Sequence, residues 1–158
     1  SGKPGSGEWK INIAIHRVRP DIKAVVHMHS PGVLCYALAR KLPDFKLIAD
    51  AALVEDKAAQ VPFLSPGSDE LCEAVCNAFK SGADILFLDS HGVFIGSTVD
   101  MFDAFRKFEL VTTLSVINAI GSGLGTPKAL SEEAVKAHRQ RPWNAQGTER
   151  GGREGPSG

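Results

Sequence analysis

Residues 23–31 read KAVVHMHSP. An apolar run followed by Ser-Pro predicts a buried strand that turns directly into a helix, because Ser30 suits an N-cap and Pro31 the first helical turn. The helix it opens is VLCYALARKL (33–42), stopped by Pro43. This strand carries His27 and His29 two positions apart, so both imidazoles project to one side of the sheet. A strand that runs straight into a helix sets the fold class: strands interleaved with helices form a sheet covered by helices, an α/β architecture.

Upstream, SGKPGSG (1–7) reads as a glycine-rich loop without the spacing of a phosphate-binding P-loop. EWKINIAIHRVRPD (8–21) fits either period, since Trp9, Ile11, Ile13 and Ile15 alternate while Ile11, Ala14, Ile15 and Val18 suit a helix. Glu8 at its start favours a helix N-terminus. Downstream, FKLIAD (45–50) and VPFL (61–64) read as short strands, and Ser68 caps a helix begun by Asp69 and Glu70. ADILFLDS (83–90) is a further buried strand with HGVFIGS as its partner. A long helix is expected from about Val99 to Ile120, with Met101, Ala104, Phe105, Phe108 and Val111 on one face, broken by Gly121, Gly123 and Gly125. Phe102 widens that face, which leaves two readings open: all three phenylalanines in the subunit's own core, or some of them against a neighbouring copy. SEEAVKAH starts a short helix at Ser131. One domain is expected over 1–141, and residues 142–158, polar and glycine-rich, read as a disordered tail or a cloning remnant.

With 158 residues, 43% apolar and 23% charged, the chain can bury a real core. Eighteen basic residues balance eighteen acidic ones, which argues against sequence-independent nucleic-acid binding. No apolar run reaches membrane-span length and no signal-peptide pattern opens the chain, so a cytoplasmic protein with no membrane partner is expected. Cys35, Cys72 and Cys76 form no CxxC pair and read as small core residues in a reducing compartment.

Among the five histidines, His16 and His138 lie in polar helical contexts and read as solvated. His91 ends the strand DILFLDS directly before a glycine, where working residues often sit. Three neutral imidazoles from two strand ends could hold a divalent transition metal, as a catalytic zinc site needs three protein ligands and one open position. The competing reading is a set of satisfied polar residues. Such a metal could polarise a carbonyl or hydroxyl oxygen while a nearby carboxylate moves a proton. Glu8 is the candidate carboxylate; its other reading is a helix-start acid.

KPGSGEW, RPDIKAVVHMHSP, VPFLSPGSDELCEAV and SHGVFIG, in that order and spacing over about residues 3–120, together resemble the class II aldolase/adducin family, most of all its L-fuculose-1-phosphate aldolase branch. The resemblance implies a three-layer α/β/α sandwich around a mainly antiparallel or mixed sheet, and a helix after Glu8. It implies zinc, with Mn2+ or Co2+ as substitutes, on His27, His29 and His91, and Glu8 as catalytic acid/base. It also implies a cyclic homotetramer with sites at subunit boundaries, and cleavage of a small sugar phosphate to dihydroxyacetone phosphate and an aldehyde through a metal-stabilised enediolate. Related members act as epimerases, dehydratases or decarboxylases, and adducins use the fold as a non-catalytic oligomerising module.

The chain departs from the family pattern in three places. Two serines usually precede the glutamate and help hold phosphate; here the loop keeps Ser6 followed by Gly7. A catalytic tyrosine is expected near Leu47, whereas the single tyrosine is Tyr36. The family carries strands and phosphate-binding residues before the glutamate motif, at which this chain almost begins, so a sheet without those first strands is allowed.

Overall fold

A computed structural model of the protein describes residues 8–141. Within them α1 (Trp9–Val18) leads to β1 (Ala24–Met28) and α2 (Pro31–Ala39). Next come α3 (Ala49–Ala52), β2 (Ala58–Val61), α4 (Asp69–Lys80), the hairpin β3 (Ile85–Leu88) and β4 (Gly92–Ser97), the long α5 (Met101–Leu124) and α6 (Glu132–Arg139). Expectations for residues 1–7 and 142–158 lie outside the described residues.

The sheet runs β1-β4-β3-β2. β4 pairs antiparallel with both β1 and β3, and β3 pairs parallel with β2, so the sheet is mixed. β1, β2 and β3 therefore all point their C-terminal ends to one edge. On one face α1 and α4 bring Ile11, Ile15, Leu71, Val75 and Phe79 against Leu86, Leu88 and Phe94. On the other, α2, α3 and α5 set Val33, Ala51, Phe108, Val111 and Leu114 against Ile85, Phe87, Val93 and Ile95. These are the three layers, helices on both sides of one sheet. With both faces covered, every residue of β3 and β4 is buried, which is why neither strand alternates in hydrophobicity.

The helix signals at Ser30, Ser68 and Ser131 work as caps: their side chains accept from Val33 N, Leu71 N and Ala134 N. The segment after Glu8, ambiguous in period, is helix over Trp9–Val18, with Ile11 and Ile15 inward.

Several expectations change. FKLIAD is not a strand. Asp44 accepts from Lys46 N at 2.9 Å and turns 45–47 into a 3-10 helix, while the Asn118 side chain accepts from Asp44 N at 2.9 Å. The strand expected at 61–64 sits earlier, over β2, because Pro62 has no N–H to continue a ladder. α5 runs through Gly121 and Gly123, each costing only about 1 kcal/mol of helix propensity, and stops before Gly125, whose φ is 150°.

The buried stripe of α5 is Ala104, Phe108, Val111, Leu114, Ser115 and Asn118, which leaves Met101, Phe102 and Phe105 exposed. Polar residues continue the stripe because Ser115 donates to Val111 O, and Asn118 to Leu114 O. Cys35 is exposed, not core, whereas Cys76 is buried and Cys72 half-buried. His138 lies 3.2 Å from Asp50, and His16 Nδ1 lies 2.9 Å from Ile22 O, so neither ring is simply solvated.

α2 and α5 cross closely at Gly32, where a Cβ would lie 2.7 Å from Thr112 O and 2.8 Å from Val116 Cγ2. The Gly32→Val protein should therefore lose about 1–3 kcal/mol of stability, seen as a lower urea midpoint with unchanged slope. An unaltered midpoint would show that the two helices can separate freely.

Candidate metal centre

His27 lies near the end of β1, opposite Phe94 of β4 in the ladder. Its ring stacks on the Phe94 ring, with centroids 4.1 Å apart and planes 26° from parallel. Its Nδ1 lies 3.0 Å from the carbonyl oxygen of Val93. A carbonyl only accepts, so Nδ1 carries the proton and Nε2 presents a bare lone pair. Two residues on, past the end of β1, His29 brings its Nε2 to 2.8 Å from His27 Nε2.

His91 arrives from the tight β3–β4 turn. Ser90 there takes the left-handed conformation, φ 55°, and its N–H donates to Ala37 O at 3.1 Å, tying the turn to α2. His91 N–H returns to Leu88 O at 3.1 Å.

Glu8 stands at the start of α1 without capping it by its side chain. Its carboxylate instead reaches the histidines, with Oε2 2.7 Å from His27 Nε2 and Oε1 2.9 Å from His91 Nε2. One ligand atom from each of Glu8, His27, His29 and His91 thus lies within 4.8 Å of the others. The side chains of Glu8, His27 and His91 are only 12%, 12% and 9% exposed, while His29 is on the open side. Ser6 and Gly7 lie outside the described residues.

Burial pushes His27 down to about 4, helped by the charges His29 and His91 would carry. Burial also lowers His91, against the opposing pull of Glu8. Near neutral pH His27 is therefore uncharged and its single proton is spent on Val93 O. Its bare Nε2 then faces a carboxylate oxygen at 2.7 Å, acceptor against acceptor. His29 can donate to His27, and His91 to Glu8, yet no arrangement of the rings' own protons relieves that contact. A cation between them does. Three imidazole nitrogens and one carboxylate, with one open side, suit a divalent transition metal such as zinc.

Three contributors were not legible in the residue pattern. Val93 orients His27 through its backbone, Phe94 supports the ring, and Gly92 makes room for His29. A Cβ at position 92 would lie 2.4 Å from His29 Cδ2 and 2.6 Å from Met28 O. Only the pairing of β1 with β4 reveals them. The half-buried Tyr36 packs against the core on the α2/α5 face of the sheet, so the chain's one tyrosine does not stand among the four groups.

A three-layer α/β domain with three histidines and one carboxylate gathered at the strand ends defines a metal-site scaffold. Residues 1–118 match the family model for the class II aldolase and adducin N-terminal domain, and the chain belongs to that family. It is 34% identical over 123 residues to an L-fuculose phosphate aldolase of Methanococcus vannielii, covering 75% of this chain and 62% of the relative. It is 28% identical over 150 residues to the decarboxylase NovR of Streptomyces niveus, covering 86% and 53%. A solved L-fuculose 1-phosphate aldolase superposes with a TM-score of 0.74 at 23% identity, over 87% of this chain and 64% of that one, a likeness of fold. The chain thus spans less than two thirds of the length of these relatives. No described helix is long and apolar enough to cross a membrane.

Because His29 fits only against a bare glycine, Gly92→Ala should weaken zinc binding about 10–100-fold, as loss of a ligand's support does. Competition with a chromogenic chelator measures this, beside circular dichroism to confirm the fold. Unchanged affinity would mean that His29 does not hold the ion.

Proposed function

We propose that this chain carries the metal centre of a zinc-dependent aldehyde-lyase that cleaves or forms a carbon–carbon bond in a small sugar phosphate, as L-fuculose phosphate aldolases do by name. The observation that carries this reading is the close approach of Glu8 to His27 and His91, which makes one carboxylate both neighbour of the ion and proton carrier. The bound ion supplies Lewis-acid polarisation of a carbonyl or hydroxyl oxygen. His27, His29 and His91 hold it, with Mn2+ or Co2+ as replacements.

Glu8 does the proton work. Its carboxylate takes the proton from the substrate hydroxyl as the adjoining carbon–carbon bond breaks, the aldehyde carbonyl forms, and the bonding pair stays on the carbon beside the polarised carbonyl. Glu8 then returns that proton to the carbon, which restores its carboxylate and balances the step. Substrate enters from the His29 side, the exposed one, while α1 shields the rest. Ser6 and Gly7 are assigned to the phosphate. The active unit is a homotetramer in the cytoplasm, with each site completed by a neighbour.

The likeness to NovR, a decarboxylase by name, supports one second reading: release of carbon dioxide in place of an aldehyde would leave the bonding pair on the carbon beside the same polarised carbonyl, where it is protonated in the same way.

Zinc-loaded protein should release an aldehyde from L-fuculose 1-phosphate, followed by a coupled dehydrogenase. Glu8→Gln should keep zinc while turnover falls by roughly 10²–10⁴-fold, the contribution of a general base. Full turnover in that variant would remove Glu8 from the chemistry. Zinc binding without cleavage of any ketose phosphate would remove the aldolase reading.

A further inference from the structure

The four groups of the metal centre are not held equally. Glu8 is carried by α1, whose Ile11 and Ile15 are packed in the core. His27 has the Val93 carbonyl at 3.0 Å and the Phe94 ring beside it, and His91 rides on the tight β3–β4 turn. His29 has no such support. It lies past the end of β1 and is exposed, and its ring meets His27, His91 and the bare backbone at Gly92. A ring with so little around it is placed by its own backbone, and so by what fixes the chain on either side.

On one side Met28 pairs with Val93. On the other the next residue is Ser30, whose Oγ accepts from Val33 N at 3.3 Å as the N-cap of α2 and whose carbonyl accepts from Leu34 N at 2.9 Å. The same hydroxyl also reaches out of its helix. Ser30 Oγ lies 2.9 Å from Thr112 Oγ1 in the middle of α5, and both residues are half-buried. One of the two hydroxyls donates to the other. The pair stands where the helices meet, since a Cβ at Gly32 would lie 2.7 Å from Thr112 O. A serine that caps one helix and binds a second cannot shift without breaking one of those bonds, and its Cα is only about 3.8 Å from that of His29.

We infer that Thr112 is a positioning residue of the metal centre: through Ser30 it sets where His29 stands, so the long helix governs the one ligand on the open side. This rests on the reading of Glu8 and the three histidines as a metal centre, and not on which substrate is cleaved. His27 and His91 take their places from the sheet and do not depend on the hydroxyl pair.

Thr112→Val keeps the shape of the side chain and removes its hydroxyl, while Thr112→Ser keeps the hydroxyl. Zinc affinity, read by competition with a chromogenic chelator, should fall about tenfold in the first, the lower end of what loss of a ligand's support costs. It should return to the native value in the second. In a His29→Ala background Thr112→Val should cost nothing more, because the ligand it serves is gone. In the zinc-free protein, a nuclear Overhauser contact between the His29 Cδ2 proton and the Gly92 α protons should be present, vanish in Thr112→Val and persist in Thr112→Ser. Circular dichroism checks the fold, and Ser30→Ala removes the same pair from its other end if Thr112→Val does not fold. Persistence of that contact without the hydroxyl overturns the proposal. Equal loss of zinc affinity with and without His29 also overturns it, because Thr112 would then be a general stabiliser. A native protein that binds no zinc removes the metal centre instead, and the proton contact still decides whether Thr112 places His29.

Discussion

Everything at the site depends on β4 being held between two antiparallel neighbours. Its pairing with β1 sets the Val93 carbonyl against His27 and the Phe94 ring beneath it, and places Gly92 where His29 must pass. Its pairing with β3 closes the tight turn that carries His91. A slip of one residue in either ladder would turn every side chain of the strand to the wrong face and empty the site. Burial on both faces makes such a slip costly, since each strand residue has a packed place.

The carboxylate comes from a different layer. α1 is anchored by Ile11 and Ile15, both fully packed against α4 and the sheet, and Glu8 sits one turn before Asn12 at the helix start. Its side chain is thus positioned by core packing and not by a flexible loop, as a preorganised group requires. The sheet sets the three nitrogens and the helix sets the acid. Arg19 fastens the other end of this layer, with its guanidinium on Asp21, Asp84 and the carbonyl of Phe79.

Much of this was legible in the residues. Ser-Pro after KAVVHMH, Ser68 before Asp-Glu and Ser131 before Glu-Glu announce helix starts through chemistry that is local, and the structure uses each one. The His27–His29 spacing and the place of His91 before glycine were enough to nominate the cluster, and the joint motifs pointed to the family. What was missed is non-local. Whether FKLIAD extends or coils is decided by Asn118 on a helix far along the chain. Strand β2, AAQV, has Val61 as its single β-branched residue and no aromatic one, too little to advertise a strand, and gains its place by pairing with β3. Likewise the inward face of α5 includes Ser115 and Asn118, polar residues that a hydrophobic stripe leaves out.

The central place of β4 also governs how the site comes apart. Amide protons of an inner strand, paired on both sides and covered by two helical layers, exchange with solvent only when the whole domain opens. His27 is tied to that strand by a carbonyl and a ring, and His91 by the turn leading into it. There is then no partial opening that releases these nitrogens while the sheet stays intact. Loss of this pair and loss of the fold become a single event, so the pair stays preorganised for as long as the sheet is intact, and only the exposed His29 can move independently of it.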